Sequence, residues 1–248
     1  MAIFIKNREQ IELMRAAARI VRDTHKMLEG CVKPGVTTQE LDKMADEFIR
    51  SRDAVPSFQG YRGFPAAICV SINEEVIHGI PGKKKLCEGD ICSIDIGTVY
   101  KGYHGDAART YKVGVVKDAH RKLTEATERC FFEGMRFATA GRHLREVSEA
   151  VQQYVESEGF TVVREYVGHG IGSVMHEEPQ IPNYRTQTRG PRLAKNMTLA
   201  FEPMVNEGAC DIKVLNDGFT VVTKDGMYSA HYENTVLITD GEPDILTL

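Results

Sequence analysis

Long apolar runs are missing from this 248-residue chain: nothing in it approaches the stretch of about 20 apolar residues that a membrane-spanning helix needs. A secretory leader is missing too, because MAIFIKNREQ becomes charged at Lys6 and offers no uninterrupted apolar segment. The six cysteines (Cys31, Cys69, Cys87, Cys92, Cys130 and Cys210) form no CxxC pair, which argues against structural zinc or a disulfide frame and for reduced thiols. Nor is there a basic excess: 31 Lys and Arg stand against 35 Asp and Glu, a formal net charge of −4, so no specific nucleic-acid footprint is expected. No Pro- or Ser-rich linker divides the chain. These absences leave a soluble protein of the cytoplasm, taken as a monomer, folded as one domain over residues 1–248 with room for a substantial core.

What is present begins with helices. From residue 7 to 29, Ile11, Met14, Ala18, Val21 and Leu28 recur at helical spacing, and Gly30 with KPG at 33–35 stops the pattern. Thr37 or Thr38 then caps a second helix carrying Leu41, Met44, Ala45, Phe48 and Ile49. A shift of 106 residues lays a similar pair on the first: Gly35 falls on Gly141, Leu41 on Val147, Phe48 on Tyr154 and Ile49 on Val155. Shifts of 98 and 107 place VIHGIP (76–81) on VMHEEP (174–179) and Asp95 on Glu202. The chain therefore reads as a duplicated unit, roughly 7–116 and 117–240.

Strands are expected over 67–72, 91–96, 108–116, 197–205, 219–223 and 235–238, and the short Gly-, Asn- and Asp-rich connections between several of them favour antiparallel pairing. The expected fold class is α+β, a pseudo-two-fold sheet with helices on its outer face.

Acidic residues punctuate these apolar runs: Asp95 in CSIDIG, Asp106 in YHGDAAR, Glu202 in LAFEPM and Glu233 in HYENTV. Unpaired buried charge is strongly unfavourable, so cations are expected beside them. Four ionised carboxylates and the neutral imidazole of His169, in VGHGIG, carry −4, which two divalent ions would balance. Asp95 and Asp106 flank GTVYKGYHG, whose glycines suit a hairpin that returns both carboxylates to one point. The glycines around His169 let backbone and ligand approach closely. Each residue alone also fits a turn, a cap or a buried pair with Lys or Arg.

The ordered set HGIPG (78–82), DIG (95–97), GDAART (105–110), GHGIG (168–172), HEEPQ (176–180), EPM (202–204) and HYENTV (231–236) resembles the methionine aminopeptidase family over nearly the whole chain. The resemblance implies the pita-bread fold, a curved and mainly antiparallel central sheet with helices outside. It implies that Asp95, Asp106, His169, Glu202 and Glu233 ligate two divalent ions, with cobalt, manganese and iron all suited to such a donor set. Attack by a dimetal-bridged hydroxide would remove the initiator methionine of nascent proteins whose second residue is small. Glu202 would shuttle the proton, and His78 and His176 would hydrogen-bond the substrate and stabilise the oxyanion.

The methionine pocket is expected from Tyr61, Phe64, Cys69, Met175 and Phe219, beside His78 and His176. Many bacterial members carry aromatics at the positions of Met175 and Phe219, tryptophan at the latter, whereas this chain has no tryptophan at all. The type I short form fits, since neither a long insertion between His169 and Glu202 nor amino-terminal zinc-binding cysteines are present. Lys83–Lys85 read as a solvated loop, with a transient ribosome contact left open to their positive charge, and residues 183–196 read as a surface loop. The start Met1-Ala2 would make the chain a member of its own substrate class. Two other readings are a proline-specific peptidase of the same fold and a non-catalytic pita-bread binding protein.

Overall fold

The computed structural model describes residues 3–248; the Met1-Ala2 start lies outside the described residues. Helix α1 spans Arg8–Glu29 and α2 spans Thr38–Arg50. Asn7 caps α1 reciprocally: its side chain accepts from the Gln10 N–H at 2.9 Å, and the Gln10 side chain accepts from the Asn7 N–H at 2.8 Å. Thr37 and Glu40 form the same box at α2. The periodic residues Ile11, Met14, Ala18, Val21, Leu28, Leu41, Ala45 and Ile49 are all buried, each large aliphatic one contributing about 1.5–3 kcal/mol by leaving water.

The second helix pair is α3 (Asp118–Met135), which has no side-chain cap, and α4 (Leu144–Ser157), which opens on a capping glutamate as α2 does. The turns before α2 and α4 pass through Gly35 and Gly141 at φ of 92° and 91°, a conformation costly to any residue with a Cβ. Just as Glu40 accepts from the Thr37 N–H at 2.7 Å, Glu146 accepts from the His143 N–H at 2.8 Å.

Every strand pairing among the described residues is antiparallel. Ile91–Tyr100 and Tyr103–Lys112 form a long hairpin that turns through Lys101 and Gly102, both at positive φ, as a two-residue turn matched to strand twist requires. Cys69–Ile72 pairs along the other edge of Ile91–Tyr100. In the second half, Asn234–Leu237, Thr198–Phe201 and Gly168–Gly170 form an equivalent triplet.

The two triplets meet where the Asp106 N–H donates to Thr235 Oγ1 at 2.9 Å, the Thr235 hydroxyl donates to the Asp106 carbonyl at 2.9 Å, and the Glu233 N–H donates to the Ala108 carbonyl at 3.0 Å. Helix α1 packs over the long hairpin and α3 lies against α4 on the outside. The approach of α1 requires Gly105, because a Cβ there would sit 2.7 Å from the Ala18 nitrogen.

Two expected strands need correction. The run 108–116 is shifted, since the strand occupies Tyr103–Lys112; the Gly102 turn starts it earlier than an apolar pattern can signal. The run 197–205 is two strands, Thr198–Phe201 and Met204–Asn206, interrupted at Glu202-Pro203 because proline has no N–H to give the ladder. Glu233 sits in the corresponding break between Ser229–His231 and Asn234–Leu237. Among the described residues the strands accordingly divide into four hydrogen-bonded sheets, and two of the acidic residues occupy breaks between strands.

Candidate metal centre

Register explains how the acidic residues converge. Asp95 pairs with Ala108 and Gly97 with Asp106, so the two aspartates are diagonal neighbours on one face of the hairpin. His169 pairs with Ala200, two residues before Glu202. Asn234 pairs with Phe201, which sets Glu233 and Glu202 beside one another in their ladder breaks. Asp106, His169 and Glu233 are buried and offer ligand atoms that all lie within 4.8 Å of one another. Glu202 joins them through Oε1, 3.5 Å from His169 Nε2, and Asp95 is the diagonal cross-strand neighbour of Asp106. All five residues expected to bind metal are thus in one place.

The electrostatics of this cluster are extreme for a protein interior. Burial, reinforced by neighbouring carboxylates, pushes Asp106, Glu202 and Glu233 well above the usual carboxylate range, and burial raises Asp95 as well. Burial lowers His169 to about 4, so its imidazole is neutral at pH 7. Its Nδ1–H donates to the Gly170 carbonyl at 2.9 Å, which leaves the Nε2 lone pair facing Glu202.

Asp95 Oδ1, Asp106 Oδ1 and Glu233 Oε1 are buried with no hydrogen-bond partner. Arg109 is close, yet its guanidinium is committed to carbonyls of Ala108, Glu233 and Thr247 and to Asn234 Oδ1. Oxygen-rich donors with one available imidazole nitrogen and three orphaned carboxylate oxygens fit divalent cations.

An apolar cluster adjoins the carboxylates. Phe64, Cys69 and Met175 are buried together with Phe58 and Ala66, and Tyr61, Ile80 and Phe219 pack on them. Cys69 pairs with Asp95 across the ladder, so the pocket wall and the carboxylate cluster are contiguous. Phe64 meets Phe219 edge-on at 5.4 Å between ring centroids.

His176 lies 4.2 Å from His169 ring to ring and stacks on Tyr61, whose hydroxyl is 2.9 Å from His176 Nδ1. Although one side of His176 meets solvent, its packed side and its cationic neighbours depress it to about 3. His78 stands edge-on to Tyr166 at 5.6 Å with φ of 58°, and burial lowers it to about 4. Gly79 behind it tolerates no side chain, since a Cβ would lie 2.2 Å from the Val70 carbonyl.

Sequence reasoning missed Phe58, Ala66 and Ile80 in the pocket, and Thr235 and Arg109 behind the carboxylates. Thr235 and Arg109 sit in the very motifs that pointed to the site, HYENTV and GDAART, and adjacency to an expected ligand was the available signal.

A twisted antiparallel core carrying a buried carboxylate–imidazole cluster next to a cluster of apolar side chains is the frame of a metallopeptidase. The pattern of Metallopeptidase family M24 matches residues 12–240, and the chain belongs to that family. Within it, the chain is 54% identical to methionine aminopeptidase of Clostridium acetobutylicum, with 99% of each chain covered. The crystal structure of methionine aminopeptidase from Thermotoga maritima superposes with a TM-score of 0.97 at 44% identity, again covering 99% of both chains. Prolidase from Pyrococcus furiosus shares the fold alone: 22% identity and a TM-score of 0.81, covering 98% of this chain and 65% of that one. Among the described residues no helix is long and apolar enough to cross a membrane.

Proposed function

We propose that this protein removes the initiator methionine from nascent chains whose second residue is small, using two divalent metal ions. The observation that carries the reading is the pairing of Cys69 with Asp95, which puts an apolar cluster directly beside the carboxylates that converge with Asp106, His169 and Glu233. In this reading Asp95, Asp106, His169, Glu202 and Glu233 hold the ions, which are cobalt, manganese or iron. When bound, the ions supply Lewis acidity and lower the pKa of the attacking water.

The chain's own residues do the rest. Tyr61, Phe64, Cys69, Met175 and Phe219 take the methionine side chain, and the pliable thioether of Met175 adapts the wall where a ring would be rigid. Glu202 takes the proton of the attacking water and delivers it to the leaving amine. Positioned proton transfer of this kind contributes about 10²- to 10⁴-fold. His78 and His176, neutral at working pH, hold the substrate peptide group and donate to the carbonyl oxygen as charge develops there.

The protein acts as a single catalytic domain in the cytoplasm, as a monomer, on polypeptide N-termini. The exposed Lys83–Lys85 loop is a candidate for transient ribosome contact, although Lys84 already pairs with Glu75 at 2.9 Å. The halves 7–116 and 117–240 each supply one strand triplet to the centre. The test is a peptide panel varying the first two residues, run after full demetallation and reloading with each metal. Cleavage of Met-Ala-Ser is expected; cleavage of Xaa-Pro peptides alone, or of nothing with any metal, would overturn the reading.

A further inference from the structure

One ion pair in the structure is almost fully withdrawn from water. The Lys6 ammonium and the Glu177 carboxylate are in direct contact, with side chains only 4% and 5% exposed, while nearly all the other Lys and Arg pairs involve substantially exposed side chains. Taking two charges out of water is unfavourable unless each is fully partnered, so such a pair calls for an account.

Its partners lead into the catalytic loop. Glu177 follows His176 and opens the strand Glu177–Ile181, which pairs with Gly168–Gly170 and so lies beside His169. With one oxygen Glu177 meets Lys6; with the other it accepts from the Val174 N–H at 3.4 Å. The loop is tied further by the His104 N–H donating to the Gly172 carbonyl at 2.8 Å and the Gly172 N–H donating to the Val174 carbonyl at 3.1 Å.

Gly172 is shaped around the pair: a Cβ there would lie 2.4 Å from Glu177 Oε1 and 2.5 Å from Lys6 Cε. Lys6 is itself fixed, because its N–H donates to the Asn196 carbonyl at 3.0 Å and the next residue caps α1. The segment between these anchors contains Met175, which closes the apolar pocket, and His176, which stacks on Tyr61.

We propose that Lys6 is a positioning residue for the reaction: through Glu177 it sets the loop 172–176 and with it the placement of Met175 and His176. The proposal rests on the aminopeptidase reading of the site. The Lys6 ammonium bonds neither Met175 nor His176, so it reaches them through its contacts with Glu177 and Gly172. Removing the ammonium leaves a buried carboxylate without a counter-charge, and the loop must move to hydrate it. Both first-residue selectivity and turnover then suffer, since Met175 of the apolar wall and His176, the oxyanion donor, are neighbours at the end of the loop that Glu177 anchors.

The experiment compares Lys6→Met, Glu177→Gln and the double variant with the parent, all loaded with the same metal. It reads kcat and KM on Met-Ala-Ser and Leu-Ala-Ser, bound metal per chain, and backbone hydrogen exchange of residues 172–177. Lys6→Met is expected to keep its metal, to lose about tenfold or more in kcat/KM on Met-Ala-Ser, and to lower the Met-to-Leu preference, with faster exchange confined to the loop. The double variant, which buries no charge, is expected to regain part of the loss; it also serves if Lys6→Met does not fold.

Unchanged kcat/KM and unchanged preference would overturn the proposal. So would a loss that only follows the folded fraction or the metal content, because a purely structural lysine predicts that. If the parent itself does not cleave Met-Ala-Ser, the aminopeptidase reading fails, and loop exchange in Lys6→Met still decides whether the pair sets the loop.

Discussion

The Tyr61 hydroxyl lies 2.9 Å from Nδ1 of His176, and the two rings stack with centroids 5.3 Å apart. A pocket residue thereby hydrogen-bonds the ring of the proposed oxyanion donor. A phenol can donate or accept, and in the arrangement in which it donates to Nδ1 the ring proton resides on Nε2, free to serve the substrate. Tyr61→Phe removes that hydrogen bond with little change in apolar contact. It should lower kcat about tenfold, a fraction of what full loss of an electrostatic donor costs, while metal content and Tm stay put. Steady-state kinetics with metal analysis check this, and an unaltered kcat would remove Tyr61 from the mechanism.

Asp106 and His78 should separate binding from turnover. Asp106→Asn replaces a buried carboxylate between Asp95 and Glu233 with a neutral amide, so metal affinity should fall by about 100-fold or more. His78→Ala should depress kcat with both ions retained. Metal titration of each variant makes the distinction, and loss of ions in His78→Ala would contradict its assignment.

Dependence on pH follows from the direction of the shifts. Asp95, Asp106, Glu202 and Glu233 are raised in the folded chain, so metal-free protein binds more protons folded than unfolded above the ordinary Asp and Glu values of 3.8 and 4.5. These groups therefore favour the metal-free fold increasingly as pH falls toward those values.

His25 acts in the opposite sense. Buried between Tyr111 and the Ala107 carbonyl and depressed to about 3, it stays neutral when folded but protonates below 6.5 when unfolded. Its stabilising share is complete above 6.5 and is lost as pH falls toward 3. Comparing loaded with metal-free protein cancels His25 and isolates the carboxylates. The rise in Tm on metal binding should shrink from pH 8 to pH 5.5, and binding near pH 6.5 should release about one proton or more per chain. Calorimetry in buffers of different ionisation enthalpy measures this release; zero release would contradict the buried cluster.

Arg109 should not tolerate lysine. One guanidinium nitrogen donates to the Glu233 carbonyl while the other donates to Asn234 Oδ1 at 2.6 Å and to the Thr247 carbonyl at 3.3 Å, and its face lies 4.5 Å from the Tyr232 ring centroid. A lysine ammonium cannot span that fork. Arg109→Lys is expected to cost about 2 kcal/mol in urea unfolding and to weaken metal binding by loosening Glu233.

Much of this was legible in the residues. Helices α1 and α2 announce themselves by period and cap, and the glycines Gly35 and Gly141 precede two helices that both open on a capping glutamate, Glu40 and Glu146. The acidic residues stood out because charge is out of place in apolar strands. The ladder breaks did not, since a pattern of apolar residues looks the same whether or not Pro203 and Glu233 interrupt the hydrogen bonds. The strand Gly168–Gly170 was invisible for a related reason: glycine carries no side-chain alternation, and its role is to admit the Ala200 carbonyl within 2.3 Å of where a Cβ would be. Contacts between distant segments, such as Lys6 with Glu177 or Asp106 with Thr235, leave no local pattern at all.

The central claim is that Asp95, Asp106, His169, Glu202 and Glu233 share a pair of ions. Anomalous diffraction from crystals loaded with manganese tests it most directly. Two peaks are predicted, both bounded by these five side chains and by no others. Peaks at other residues, or none within reach of Asp106, His169 and Glu233, would contradict it.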